Sequence, residues 1–164
     1  MPPLPIPKSI RRRVIEAMAA ALAPASITTA RGAVYARPTG LVVHRYRFRP
    51  SEDGLAAVVK IADDPEAEQV SASTAAPLLL SSLLVETVVR ATSQEAPEDA
   101  TDEVLTWVDL CYEADTTLGG LVLDVIPAVR AWEAKAGSAS NESAASVTHL
   151  VRFHTLRSDP TLNA

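Results

Sequence analysis

Between Thr116 and Pro160 the chain reads TTLGGLVLDVIPAVRAWEAKAGSASNESAASVTHLVRFHTLRSDP, two alternating segments joined by a run of small residues. In the first arm Leu121, Leu123, Val125, Val129 and Ala131 share one side, and Val122, Asp124, Ala128 and Arg130 the other. In the second arm Val147, His149, Val151, Phe153 and Thr155 oppose Thr148, Leu150, Arg152, His154 and Leu156. A period of two with β-branched and aromatic enrichment predicts a long hairpin. Pro127 cannot donate to a ladder, so its arm is expected at a sheet edge or at a bulge. Neither side is wholly polar, which predicts a sheet flank covered by a helix on one side and by something else, such as another subunit, on the other. The connecting segment, residues 136–146, is long for a hairpin loop and is expected to be mobile or ordered by another molecule.

Elsewhere the period changes. Ile10, Val14, Met18 and Leu22 recur every fourth position behind Ser9, predicting a first helix that stops at Pro24. Residues 1–8 carry four prolines and are expected to form an extended arm. Residues 28–37 suit a short strand, followed by a turn at Pro38, Thr39 and Gly40. Val42, His44, Tyr46 and Phe48 then alternate with Leu41, Val43, Arg45, Arg47 and Arg49, and residues 55–62 are expected to return antiparallel after a turn at 50–54. Residues 63–70, DDPEAEQV, suit an acidic loop able to answer those arginines.

From Thr74, with Pro77 in its first turn, the apolar run Leu78 to Val89 predicts a second and most buried helix, with Glu86 and Arg90 spaced for a pair. After a loop at 92–100, Thr101 is expected to cap a third helix ending near Ala114, with Val104, Leu105, Val108 and Cys111 facing inward. Asp115 to Gly120 suits a turn whose paired glycines permit positive φ. The resulting order is α-β-β-β-α-α-β-β: one α+β domain, a mostly antiparallel or mixed sheet of about five strands with about three helices on it.

Composition narrows the functional classes. A chain of 164 residues has the size of one domain, and a net charge of −5 argues against a surface that grips nucleic acid throughout. Cys111 is the only cysteine, so the chain holds no internal disulfide framework and no cysteine metal cluster. The longest apolar run, from Ala75 to Leu80, is too short to span a bilayer, and no membrane association is expected.

Catalytic motifs do not emerge. His44, His149 and His154 are the only histidines, and the last two fall on opposite faces of one strand. Asp124 and His154 are candidates for a cross-strand contact or, less simply, an acid-base pair. Cys111 reads as a small core residue. The phosphate-loop, dinucleotide, nucleophile-elbow and zinc-protease patterns do not occur, so no catalytic residue, metal or cofactor is expected.

Three features together resemble a known family. They are the N-terminal amphipathic helix leading to a strand with Arg31-Gly32, the segment Asp115, Leu118, Gly119, Gly120, Leu121, and the closing FHTLRSDP from Phe153 to Pro160. The pattern resembles the tail terminator, or tail completion, proteins of long-tailed bacteriophages, the family of the lambdoid minor tail protein U. That resemblance implies a non-enzymatic virion protein, assembled in the host cytoplasm, whose copies form a homohexameric ring at the head-proximal end of the tail. The ring would stop polymerisation of the tail tube protein and present a surface to head-tail connector or neck proteins, with DNA passing through the lumen unread.

On that reading Ser138, Ser140, Asn141 and Glu142 in the hairpin loop, with Arg152 near the strand ends, are expected to touch the tube. Arg11, Arg12 and Arg13, or Arg45, Arg47 and Arg49, are expected to meet a subunit or a neck partner. Another neck or head completion protein, or a small α+β ligand-binding domain or enzyme using His154 and Asp124, are the alternatives.

Overall fold

The computed structural model describes residues 8–47, 54–69, 78–92, 96–132 and 142–156. Helix α1 spans Ile10–Ala21 behind Ser9, whose hydroxyl accepts from the Arg12 amide. Strands β1 (Ser26–Thr28) and β2 (Val34–Ala36) form a separate small antiparallel ladder. The single strand expected across 28–37 is thus split by a turn in which Gly32 adopts φ +81°.

Strands β3 (Leu41–Arg45), β4 (Leu55–Gln69) and β5 (Leu78–Thr92) follow, then helix α2 (Pro97–Ala114), and finally β6 (Asp124–Trp132) and β7 (Glu142–Leu156). The five strands β3 to β7 make one mixed sheet in the order β3-β4-β5-β7-β6.

The α+β class and the five-stranded mixed sheet agree with the sequence expectation, but the described residues hold two helices where three were expected. The segment expected as the most buried helix is β5, and its neighbours show why. In the register Val85 faces Ile61 on one side and His149 on the other, with Thr87 and Val89 following at every second position. A long run of Leu and Val satisfies either period, and here the β-branched half and two flanking ladders decide for the strand. Glu86 therefore pairs across strands with Lys60 at 3.0 Å and not along a helix with Arg90.

The β3–β4 pair is parallel, Leu41 aligned with Leu55 and Arg45 with Val59, where an antiparallel hairpin was expected. Tyr46 ends β3 at φ 72°, and its amide donates to the Val59 carbonyl, so the chain leaves the strand there. The acidic segment expected as a loop continues β4 as far as Gln69, paired with β5 after irregularities between Ile61 and Glu66.

Helix α2 starts five residues earlier than expected, behind Ala96 and not behind Thr101. Pro97 occupies its first turn, and Thr101, expected as the cap, lies inside the helix with its hydroxyl donating to the Pro97 carbonyl.

The hairpin of β6 and β7 forms as the alternation predicts, with Asp124 opposite Arg152 and Trp132 opposite Ala145. Leu121 and Leu123 precede β6, and residues 142–146, expected in the loop, are the start of β7. Both expectations for Pro127 hold: β6 is an edge strand, and its register shifts between Pro127 and Val129.

Alternation divides the sheet into two faces. The inner one carries Ala57, Val59, Leu83, Val85, Val89, Val147, Val151 and Phe153, all buried. Against it pack Val14, Ile15 and Met18 of α1 and Val104, Leu105, Val108 and Tyr112 of α2 in one core. The Trp107 indole donates to the Leu22 carbonyl and the Tyr112 hydroxyl to that of Met18, each at 3.3 Å, fastening the two helices to each other. Cys111 is buried in this core as expected, and burial pushes its thiol up to about 12.

Candidate functional site

Because consecutive strand residues point to opposite faces, the residues between the core positions form the sheet's other face, which neither helix covers. Leu80, Leu84 and Val88 of β5 and Leu150 of β7 are half-buried there. On β6 the same row is open: Ile126 is 37% exposed and Val129 60%. Trp132, at the end of the strand and 50% exposed, lies opposite Ala145 and so belongs to the inner row. Large apolar side chains left accessible along one edge strand and the sheet face behind it form a contiguous surface of the kind that takes part in protein contacts.

Two ion pairs sit on this outer face. Lys60 meets Glu86, and Arg152 holds Asp124 through both of its donating nitrogens, one contact being 2.8 Å from Nε to Oδ1. The Arg152 fork holds the Asp124 carboxyl below its ordinary value. Asp124 therefore pairs with Arg152 and not with His154, whose register partner in β5 is Leu80, and no Asp124–His154 acid-base pair forms.

At the β4 end of the face Val58 is buried, and it lines a groove of about 320 Å³ with Tyr46, Arg47, Lys60, Glu86, Val88 and Arg90.

The basic residues singled out in the sequence do not form one patch. Glu16 of α1 gathers two of them: it meets Lys8 at 2.6 Å, Arg12 at 3.0 Å and Arg45 at 3.1 Å. Hydrogen bonds from Lys8 and Arg12 hold its carboxyl down to about 2. Arg45 closes the row that begins with Leu41 and Val43, so it points toward α1 and does not join an outward stripe.

Arg47 lies beyond the Tyr46 break, in the groove just described. Arg11 and Arg13 lie on α1. Glu142 and Arg152 both belong to the outer row of β7, near opposite ends of the strand. Arg49, Ser138, Ser140 and Asn141 lie outside the described residues.

The Asp115 to Leu121 segment is a built loop. One Asp115 carboxylate oxygen accepts from the Thr117 amide and hydroxyl at 3.1 and 2.9 Å, the other from the Gly119 amide at 2.6 Å. Burial draws that carboxyl upward, but the Thr117 hydroxyl and the amides of Gly119, Thr117 and Leu118 outweigh it and leave it below its ordinary value. Leu118, Gly119 and Gly120 all take positive φ, so the paired glycines serve a left-handed bend. Its consequence is positional, since it delivers Val122 into the core and starts β6 beside β7.

A last cluster lies between α2 and the β6–β7 ladder, on the covered side. His149 is 1% exposed and meets the Tyr112 ring edge-on, centroids 4.8 Å apart at 83°. Its Nε2 lies 3.7 Å from Asp109 Oδ1, beyond hydrogen-bonding distance, while the other Asp109 oxygen is held by Arg130. Burial first, and then the Arg130 charge, lower the His149 imidazole to about 4, so it is neutral at pH 7. Pairing Asp109 with Arg130 requires the β6 bulge, which turns Arg130 to the inner row opposite Val147. Sequence spacing carries no trace of that contact, and Asp109, Tyr112, Glu113 and Thr116 were not singled out.

Among the described residues no group of three or more histidine, cysteine or carboxylate side chains is placed to hold a metal ion, and no helix is long and apolar enough to cross a membrane. The chain matches no protein-family model and no curated protein.

Proposed function

We propose that this chain is a structural subunit of a phage tail terminator: a homohexameric ring at the head-proximal end of the tail tube that ends tube polymerisation and receives the neck proteins. The observation that carries the reading is the sheet face that neither helix covers, continuing onto the edge strand β6 through the accessible Ile126 and Val129. A ring requires heterologous contact, one surface of each copy against a different surface of the next. An open apolar sheet face and edge supply one such surface, while the Pro127 bulge keeps β6 from unlimited edge-to-edge pairing.

The family resemblance in Asp115 to Leu121 supports the same reading, since that segment forms the ordered loop that sets β6 in place. An acidic chain suits a lumen through which DNA moves without tight wall contacts. In this role the protein is not an enzyme, it binds no cofactor, and its place is the virion.

Light scattering on the purified chain, followed by negative-stain imaging, tests the proposal. The expected result is about six chain masses with a central hole, either alone or on added tail tubes. Val129→Glu, at a 60% exposed position, is expected to leave the chain folded and to abolish the large species. A monomer that neither closes into rings nor binds tube ends overturns it. A second reading, a small ligand-binding domain, is favoured by one observation, the cavity beside His149.

A further inference from the structure

Alternation along two strands lays out the groove at the β4 end of the outer face. On β5 the outer row runs Glu86, Val88, Arg90, and the register partners on β4 are Lys60, Val58 and Ala56. Lys60 and Glu86, paired at 3.0 Å, close one end, and the exposed Arg90 stands at the other. Between them the half-buried Val88, with the buried Val58 beside it, makes an apolar floor. From Glu86 to Arg90 is four residues of strand, about 13 Å.

The wall on the β3 side depends on a break in the backbone. Arg45 belongs to the inner row, and an unbroken strand would send Arg47 to that side as well. Tyr46 instead takes φ 72°, a conformation that residues with a side chain rarely adopt, while its amide donates to the Val59 carbonyl. Strained backbone of this kind is concentrated at functional sites. Here it fixes Tyr46 at the level of Lys60 and brings Arg47 round to the outer groove, with the Tyr46 ring exposed beside it.

The charges in the groove are unbalanced. Arg47, Lys60 and Arg90 bring three cations, and the one carboxylate among the lining residues, Glu86, is held by Lys60. Arg47 is exposed, and among the described residues no carboxylate meets its guanidinium. In a chain of net charge −5 the groove is a local reversal of sign.

We propose that this groove binds an extended acidic segment of a partner protein, with two carboxylates four residues apart and an apolar side chain midway between them. In an extended chain the first, third and fifth side chains point the same way and span about 13 Å, the length of the groove. One carboxylate meets Arg47 beside the Lys60–Glu86 pair, and the apolar side chain rests on Val88 next to the Tyr46 ring. The other carboxylate meets Arg90, whose five donors leave room for it alongside the contacts Arg90 makes within the chain. Forked guanidinium donors suit carboxylates in both places. The inference does not rest on the ring reading, since the partner need not be a copy of this chain.

The test is a titration of the full chain, labelled with ¹³C in its valine methyl groups, at pH 7 and low salt. The probe is the capped pentapeptide ESVSE, and its control is SEVES, of the same composition and charge with the carboxylates turned to the side opposite the valine. ESVSE is expected to move the Val88 methyl signals saturably with a Kd on the order of 1 mM, the strength open to so short a ligand. SEVES is expected to bind severalfold more weakly, and KSVSK to leave the signals in place. Arg47→Gln and Arg90→Gln, both at exposed positions, should each leave the chain folded and weaken ESVSE about threefold, the loss of one solvated ion pair.

Inorganic phosphate separates a peptide site from a simple ion site. It is expected to compete weakly, and a response as strong as that to ESVSE overturns the peptide assignment. An unsaturable shift, equal binding of ESVSE and SEVES, or unchanged affinity in either folded variant also overturns the proposal.

Discussion

The two faces of the β5–β7 ladder are built from the same residue types and do different work. Leu83 and Leu84 are neighbours in β5, yet Leu83 is fully buried beneath the helices while Leu84 stands half-open on the other side. On β7 the same holds for Val151 and Leu150. The covered face needs its apolar residues for the fold. The open face keeps leucines, valines and an isoleucine where a solvated sheet would carry polar residues.

Substitution separates the two most sharply at the leucine pair. Leu83→Ala is expected to cost about 2–5 kcal/mol, because a buried side chain is removed from a packed core. Leu84→Ala is expected to cost less than about 1 kcal/mol in the monomer. Urea unfolding of both variants measures the gap, and equal costs would mean that the outer face is covered within the chain itself.

His149 gives the covered face a dependence on acid larger than that of the open face. Its imidazole titrates at about 4 when folded, against an ordinary value near 6.5, with Asp109 and Tyr112 from α2 and Arg130 from β6 packed around it. Between those values the unfolded chain takes up a proton that the folded chain refuses. Stability present above pH 6.5 is therefore lost as pH falls toward 4, by about 3 kcal/mol in all. Urea midpoints across that window check this, alongside the His149 titration followed by NMR. A stability flat from pH 7 to 4.5 would show the imidazole charging freely.

The outer-face ion pair is expected to contribute least. Asp124→Asn removes the partner of Arg152 at a site where both side chains are partly solvated, 27% and 42% exposed, and should cost under about 1 kcal/mol. With the Asp124 carboxyl held below its ordinary value, that contribution persists above about pH 4 and fades as pH falls through the lowered value. Unfolding of Asp124→Asn at pH 7 and pH 3 compares the two regimes. A loss as large as that of Leu83→Ala would place the outer face among the parts that hold the fold together.

These contrasts also mark what could be read from the residues alone. Helix α1 was legible because Ser9, the four-residue apolar spacing and Pro24 all agree. So were the β6–β7 alternation and the edge position of Pro127, since a missing N–H has few places to go. β5 was not legible as a strand: Leu and Val recur from Leu78 to Val89 at helical and strand spacings alike, and what decides it is the pair of ladders with β4 and β7. The parallel alignment of β3 with β4 was hidden for a related reason, because alternation fixes faces and says nothing of direction.

At the candidate sites, the two-sided apolar pattern foretold an uncovered face, but the arginine stripe dissolved once Arg45 turned toward Glu16. The Asp109–Arg130 pair could not be foreseen, because it depends on a one-residue shift in β6.

The order of strands in the sheet also bears on how the chain is made. The central strand β5 finds β4 close by in sequence, but its other neighbour begins at Glu142, paired with Thr92 across about 50 residues that include all of α2 and β6. At ordinary rates of synthesis that is a wait of several seconds. During it, one side of the most apolar strand stays unpaired on a chain still tethered to the ribosome. Such an edge invites pairing with a neighbouring nascent chain. Yield in the cell should therefore depend on how fast the final fifteen-residue strand arrives as well as on the stability of the finished fold.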